Sequence, residues 1–109
     1  MSLSQTQIEF TSMIARLILH AEQLGYGLTF GDAYRDKRVF GEVGEAKGYG
    51  NPRSNHKKRL AVDFNLFKDG AYTTDPKPYE ELHDYWRSIG GATIETDLNH
   101  FSINYRGMI

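Results

Sequence analysis

The chain has 109 residues, no cysteine and a formal net charge of -1. This length is typical of one domain that buries a core without crosslinks, so we predict a single domain over residues 1–109. The lack of cysteine excludes disulfides, thiolate metal sites and cysteine nucleophiles. A net charge this close to zero provides no strong field towards polyanions, so we expect no nucleic-acid binding and no membrane insertion. We expect a monomer.

The N-terminal segment lacks the basic and apolar stretches of a signal peptide, and no run approaches the ~20 apolar residues that span a bilayer. We therefore expect synthesis into the cytoplasm. Any later action outside the cell would need help with export.

The first predicted element is a helix over residues 4–24, because apolar side chains recur there at helical spacing. Ser4 is the predicted N-cap, with Gln7 three residues later, and Gly25 is the predicted stop. Residues 26–34 predict a strand that leads into a turn at Asp36.

Residues 36–55 are charged or glycine-rich and predict a long loop, a kind of segment that is often functional in compact domains. This loop leads directly to Ser54 and His56. The apolar run over residues 60–67 predicts a central strand, and Asp69-Gly70 predicts a hairpin turn into a returning strand over residues 71–73.

Pro76 and Pro78 introduce a second predicted helix over residues 79–89, which ends at Gly90-Gly91. The last predicted strand covers residues 100–105. The sequence thus predicts an α+β fold, with two main helices packed on a small antiparallel sheet.

Asp63 is a carboxylate in the middle of the most apolar strand, where an unpaired charge costs several kcal/mol. A metal ion would offset this cost. His56 precedes the strand and His100 begins the last one, so neighbouring strands could bring the three side chains together. Two imidazoles and one carboxylate with an open fourth position are typical of catalytic zinc.

Each of these residues also has a simpler interpretation when taken alone. Asp63 could pair with Arg59 or Lys58 at a turn or sheet edge. His56 stands in a basic polar stretch and could be a solvated surface residue. His100 precedes an aromatic residue and could be a strand-end histidine that the backbone satisfies.

Hydrolysis of an amide also needs a base that delivers a proton to the leaving amine. Asp97, three residues before His100, is the predicted base, although it could instead cap a turn. Arg35 could hold a substrate carboxylate with its planar donors, or could be one more surface cation. His20 and His83 lie on predicted helices, and we assign both to structure or solvent.

Residues 54–63, Ser-Asn-His-Lys-Lys-Arg-Leu-Ala-Val-Asp, resemble the Ser-x-His-(six residues)-Asp signature of the zinc D-Ala-D-Ala carboxypeptidases and their phage endolysin relatives, the L-alanyl-D-glutamate endopeptidases. Ala61 matches the family as well. Further on, Gly90-Gly91 followed by Asp97-Leu98-Asn99-His100 is similar to the second half of that family, in which a Gly-Gly pair precedes Asp/Glu-x-x-His. The resemblance spans residues 31–103.

This resemblance implies that His56, Asp63 and His100 are the zinc ligands and that Asp97 is the catalytic base. Tyr34-Arg35 is similar to a strand end of the family whose arginine faces the substrate. Arg35 and Ser54 are accordingly the predicted substrate-binding residues. The implied fold is the small α+β fold shared with the hedgehog signalling domain.

Two positions depart from the family pattern. Arg59 stands where glycine is commonest, and Ala92 and Thr93 stand where aromatic residues often follow the glycine pair. We expect Arg59 to alter the cleft near the metal and therefore the substrate preference.

The implied function is zinc-dependent hydrolysis of an amide bond in the peptidoglycan stem peptide, of the L-Ala-D-Glu endopeptidase or the D-Ala-D-Ala carboxypeptidase type, with one zinc per chain. A phage or prophage lysis enzyme is the expected setting, and such an enzyme would act on the cell wall after release. Two alternatives stay open: a non-catalytic zinc-binding module of the same fold, and a cytoplasmic D-Ala-D-Ala dipeptidase. The retention of Asp97 favours an enzyme.

Overall fold

The structure is a computed structural model that describes residues 2–48 and 51–109. Its helices are α1 (Leu3–Gln23), α2 (Lys37–Phe40), a 3-10 helix (Asn55–Lys58) and α3 (Pro76–Ser88). Its strands are β1 (Tyr26–Phe30), β2 (Ala61–Lys68), β3 (Ala71–Tyr72), β4 (Ala92–Ile94) and β5 (Asp97–Ser102). The predicted α+β class with a small antiparallel sheet is confirmed. No helix in these ranges is long and apolar enough to cross a bilayer.

The sheet is built around β2, to which β1, β3 and β5 all pair in antiparallel fashion. The strand order is β1-β2-β5-β4, with β3 beside β2. Residues 61–63 of β2 pair with β5, whereas residues 64–68 pair with β1. The predicted central strand and the hairpin after it are confirmed, and Asp69 and Gly70 both have the positive φ that a two-residue hairpin turn requires.

The core lies between the sheet and the helices α1 and α3. Trp86 on α3 is fully buried and meets Phe10 of α1 and Phe101 of β5 edge-on, with ring centroids 5.8 and 6.0 Å apart. Its indole nitrogen donates to the Ser102 carbonyl at 2.7 Å, so the ring is anchored as well as packed.

The first half of the chain differs from the prediction at several boundaries. The N-cap of α1 is Ser2, whose side chain and that of Gln5 form a capping box, and not Ser4 with Gln7. Both pairs have the same spacing, but Gln7 instead donates to the Lys58 carbonyl at 2.8 Å. Gly25 follows the last helical turn as predicted, with φ of 84°.

Strand β1 ends at Phe30, four residues before the predicted end. The reason is a bulge: Gly31 N donates to the Asp63 carbonyl, but Asp63 N donates to the Asp32 carbonyl, both at 2.7 Å. The predicted loop over residues 36–55 contains the short helix α2, which Asp36 caps, and the start of the 3-10 helix. Tyr49 and Gly50, within that predicted loop, lie outside the described residues.

The second half contains one strand that was not predicted, β4, and its hairpin partner β5 covers Asp97–Ser102 instead of residues 100–105. The prediction missed β4 because its three residues show no clear alternation. Helix α3 begins at Pro76, earlier than predicted, because Asp75 caps it and both prolines fit its first turn.

Gly91 after α3 is required by packing. A side chain added there would overlap the Trp86 indole ring. We expect Gly91→Ala to lower the free energy of unfolding by about 1–3 kcal/mol or more, as overpacking of a core does. Urea unfolding measures this, with Gly27→Ala as control, since that added methyl group would meet only Phe67 at an ordinary 3.8 Å. Equal stability of both variants would contradict the packing account.

Candidate metal centre

Three elements bring His56, Asp63 and His100 together. Asp63 and His100 are direct cross-strand partners in β2 and β5. Within β2 the neighbours Val62 and Phe64 point into the core, so the alternation of the strand turns Asp63 away from it. His56 comes from the 3-10 helix that leads into this strand.

The position of His56 is fixed by its neighbours. Ser54 caps the 3-10 helix by accepting a hydrogen bond from His56 N at 3.2 Å. The fully buried Asn55 donates through its side chain to the carbonyls of Ile103 and Met108, at 2.6 and 2.9 Å. Arg35 N donates to the His56 carbonyl at 3.1 Å. The backbone around His56 is therefore tied to both the β1–α2 connection and the C-terminal segment.

The side chains of the three residues converge on one point. Nε2 of His56 lies 3.2 Å from Oδ1 of Asp63, and Nδ1 of His100 lies 3.6 Å from the same oxygen. One potential ligand atom from each residue lies within 4.8 Å of the other two. His56 and His100 are 1% and 3% exposed, so these atoms are shielded from bulk water.

The converging atoms lack hydrogen-bond partners. Among the described residues, five buried side-chain atoms are unsatisfied: Asn55 Oδ1, His56 Nδ1, His56 Nε2, Asp63 Oδ1 and His100 Nε2. Four of them belong to the three converging residues, although leaving one such atom unpaired costs about 1–3 kcal/mol. Asp63 thus lies close to both imidazoles, but the geometry of these contacts is not that of hydrogen bonds. A cation between the three side chains would satisfy atoms that the protein leaves unpaired.

Electrostatics keep Asp63 ionised. Burial raises the pKa of its carboxyl group, but interactions with His100 and His56 lower that pKa by more, and the result lies well below the usual value. A carboxylate must be deprotonated to bind a metal, so this shift favours ligation. The donor set of two imidazole nitrogens and one carboxylate oxygen fits a metal ion of the zinc type.

A cleft of about 150 Å³ opens at the two histidines. Its walls include the other predicted site residues, which are Arg35, Ser54 and Asp97. Asn51, Arg53, Ile94 and Ile109 complete the lining. The structure therefore brings every predicted site residue to one place: the exposed Asp97 stands in the cleft wall, and Asp63 contacts both histidines without lining the cleft.

Arg35 and Ser54 have structural contacts as well as a place in this cleft. Arg35 is 8% exposed, and its Nε lies 3.3 Å from a carboxylate oxygen of Asp32, so it is not a surface cation. Ser54 is buried and caps the 3-10 helix.

The simpler interpretations of the metal residues are wrong. Arg59 has φ of 57°, the left-handed region that favours glycine, and its guanidinium lies 4.0 Å from the centre of the Tyr34 ring.

Neither of the other two histidines belongs to the centre, as predicted. His20 stacks on Tyr85 with ring centroids 3.8 Å apart. His83 is buried, and its Nε2 lies 2.8 Å from the Leu98 carbonyl oxygen. Burial lowers the pKa of His83, which keeps it neutral. A larger hollow of about 540 Å³ beside His83 includes none of the three converging residues.

Sequence reasoning missed two supporting residues, Asn55 and Asp32. Asn55 carries no spacing signal, because its acceptors lie 48 and 53 residues away in the chain. Asp32 stands three residues before Arg35, a spacing that could have indicated their ion pair.

Comparisons with protein-family models, with curated proteins and with solved structures found no match for this chain.

Asn55 offers a test of how the centre is held. Asn55→Ala leaves the Ile103 and Met108 carbonyls without their donor, so we expect a loss of about 2–3 kcal/mol in the free energy of unfolding. We also expect metal affinity to fall about 10- to 100-fold, as for other residues that position ligands. Chemical denaturation and metal titration measure both effects.

The matched control is Asn104→Ala, which removes an exposed hydrogen bond to Gly107 N. We expect a change within about 0.5 kcal/mol and unaltered metal affinity. Full metal affinity in Asn55→Ala would show that Asn55 does not position His56.

Proposed function

We propose that this chain is a zinc peptidase that hydrolyses an amide bond in the peptidoglycan stem peptide, of the L-Ala-D-Glu endopeptidase or D-Ala-D-Ala carboxypeptidase type. The observation that carries the proposal is the convergence of His56, Asp63 and His100, with unpaired buried atoms, at a cleft that also contains Asp97. The resemblance of residues 31–103 to that family supports it, and with it the hedgehog-like form of the α+β fold.

His56, Asp63 and His100 would hold the metal. A zinc ion bound there supplies a Lewis acid that polarises a substrate carbonyl and makes water more acidic. A set of three protein ligands is typical of catalytic zinc, whereas structural zinc has four. The cleft borders both imidazoles and so offers a substrate an approach to them.

Asp97 is the group that moves the proton. It is exposed in the cleft wall and is not among the converging ligands, so its carboxylate can accept a proton from the attacking water. The same carboxyl group then protonates the leaving amine. Arg35 and Ser54 line the cleft and are the proposed contacts for the peptide.

The proposed setting is a phage or prophage lysis enzyme that acts on the cell wall as a monomer. The assay that separates the bond types uses two substrates, intact sacculi and a peptide that ends in D-Ala-D-Ala. Loss of sacculus turbidity supports an endopeptidase, whereas release of D-alanine without such loss supports a carboxypeptidase or dipeptidase.

We expect about one zinc per chain after dialysis, and hydrolysis that a chelator abolishes. Asp97→Asn should retain the zinc and reduce kcat by about 100- to 10,000-fold, because general acid–base catalysis contributes that much. His56→Ala and His100→Ala should lose both zinc and hydrolysis. Metal analysis and turnover on sacculi or stem peptides measure these effects.

Asp69→Asn is the matched control, since it makes the same change in an exposed hairpin turn where asparagine tolerates the positive φ. It should behave as wild type. Zinc binding without hydrolysis of any stem peptide would favour the non-catalytic module, and a wild-type chain that binds no zinc would overturn the proposal.

A further inference from the structure

Arg53 is an exposed arginine in the wall of the cleft that contains His56, Asp97 and His100. Within the described ranges, its guanidinium makes no hydrogen bond and no ion pair; only its backbone N–H is bonded, to Asn51 Oδ1. Two other exposed arginines do form ion pairs: Arg38 lies 2.6 Å from Asp36, and Arg87 lies 2.6 Å from Asp84. Arg53 therefore presents a full charge and its planar donors to whatever enters the cleft.

The backbone that carries Arg53 is held in one conformation. Ser54 N donates to the Asn51 carbonyl at 3.1 Å, and Arg53 N donates to the Asn51 side chain at 2.9 Å, which closes a turn over residues 51–54. Gly44 N donates to the Pro52 carbonyl at 2.7 Å and ties this turn to the preceding loop. The turn leads directly into the 3-10 helix with His56, so the guanidinium is presented beside the metal centre.

Charge along the chain is segregated around this point. Residues 35–59 contain eight of the thirteen lysines and arginines but only three of the fourteen acidic residues. The near-zero net charge thus combines a basic segment, of which Arg35 and Arg53 line the cleft, with an acidic remainder. A charged segment beside a concave site raises the local concentration of ligands of opposite charge.

We propose that Arg53 is a specificity-determining residue that binds a carboxylate of the substrate. This inference rests on the proposed function and deepens it: the substrate is an acidic peptide, with a free carboxylate next to the amide that is cut. The cleft is only about 150 Å³, so a group that reaches Arg53 belongs to a residue close to that amide. A carboxylate accepts two parallel hydrogen bonds from a guanidinium, whereas a neutral carboxamide offers one oxygen and no charge.

The test uses two stem peptides, L-Ala-γ-D-Glu-L-Lys-D-Ala-D-Ala with the α-carboxyl group of D-Glu either free or amidated. Binding is measured by calorimetry and turnover by product release, for wild type and for Arg53→Met, Arg53→Lys and Arg16→Met. Arg16→Met removes the same charge from an exposed site on α1, outside the cleft, and so controls for net charge.

We expect wild type to bind the free acid about 10- to 100-fold more tightly than the amide, which is the usual effect of a charge-assisted hydrogen bond. Arg53→Met should bring this ratio to about one, in Kd as well as in KM, and should leave the zinc content unchanged. Arg53→Lys should restore part of the preference, and Arg16→Met should keep all of it. The preference should weaken as salt is added.

Wild type that binds both peptides equally, or not at all, would overturn the inference, as would a preference that survives in Arg53→Met. The proposed function can fail separately. An Arg53-dependent preference in binding with no hydrolysis would support the inference and contradict the peptidase. Hydrolysis of both peptides with the same ratio in wild type and Arg53→Met would support the peptidase and contradict the inference.

Discussion

The Asp63 carboxylate lies in the central strand of a small domain, half-buried beside the imidazoles of His56 and His100, with no hydrogen bond to either ring. A buried charge needs a partner, and removing this one from water costs several kcal/mol. Among the described residues no lysine or arginine pairs with it, whereas Arg35 pairs with Asp32 elsewhere in the domain. A metal ion would match the charge and the nitrogen donors of the three converging side chains, and it is the partner that we propose.

Support for the three side chains comes from both sides of β2. At the bulge, Gly31 N donates to the Asp63 carbonyl and Asp63 N donates to the Asp32 carbonyl. These two bonds fix the backbone of Asp63. A side chain at Gly31 would press on Asp63, since an added Cβ would lie 3.2 Å from the Asp63 Cβ. On the other edge, pairing with β5 sets His100 opposite Asp63. Main-chain bonds therefore position the three side chains, as in a preorganised site.

Much of the fold and of the candidate site could be predicted from the sequence, because the patterns that indicate them are local. The apolar run around Asp63, the hairpin signal at Asp69-Gly70 and the helical period of α1 each depend on neighbouring residues. The convergence of His56 and His100 on Asp63 could be inferred because a carboxylate interrupts an apolar strand and because the motifs around these residues resemble those of a known family. The short strand β4, the bulge at Gly31 and the anchoring of Asn55 could not be inferred, since they depend on contacts between distant parts of the chain.

The central claim is that His56, Asp63 and His100 hold a metal ion, and the stability of the fold with and without zinc tests it most directly. At zinc a hundredfold above Kd, binding should stabilise the wild-type chain by about 2.7 kcal/mol, which raises Tm by roughly 10 °C or more in a domain of this size. Asp63→Asn keeps the shape of the side chain but removes its charge, and should abolish most of this shift. A wild-type Tm that does not respond to zinc, or an equal response in Asp63→Asn, would contradict the account.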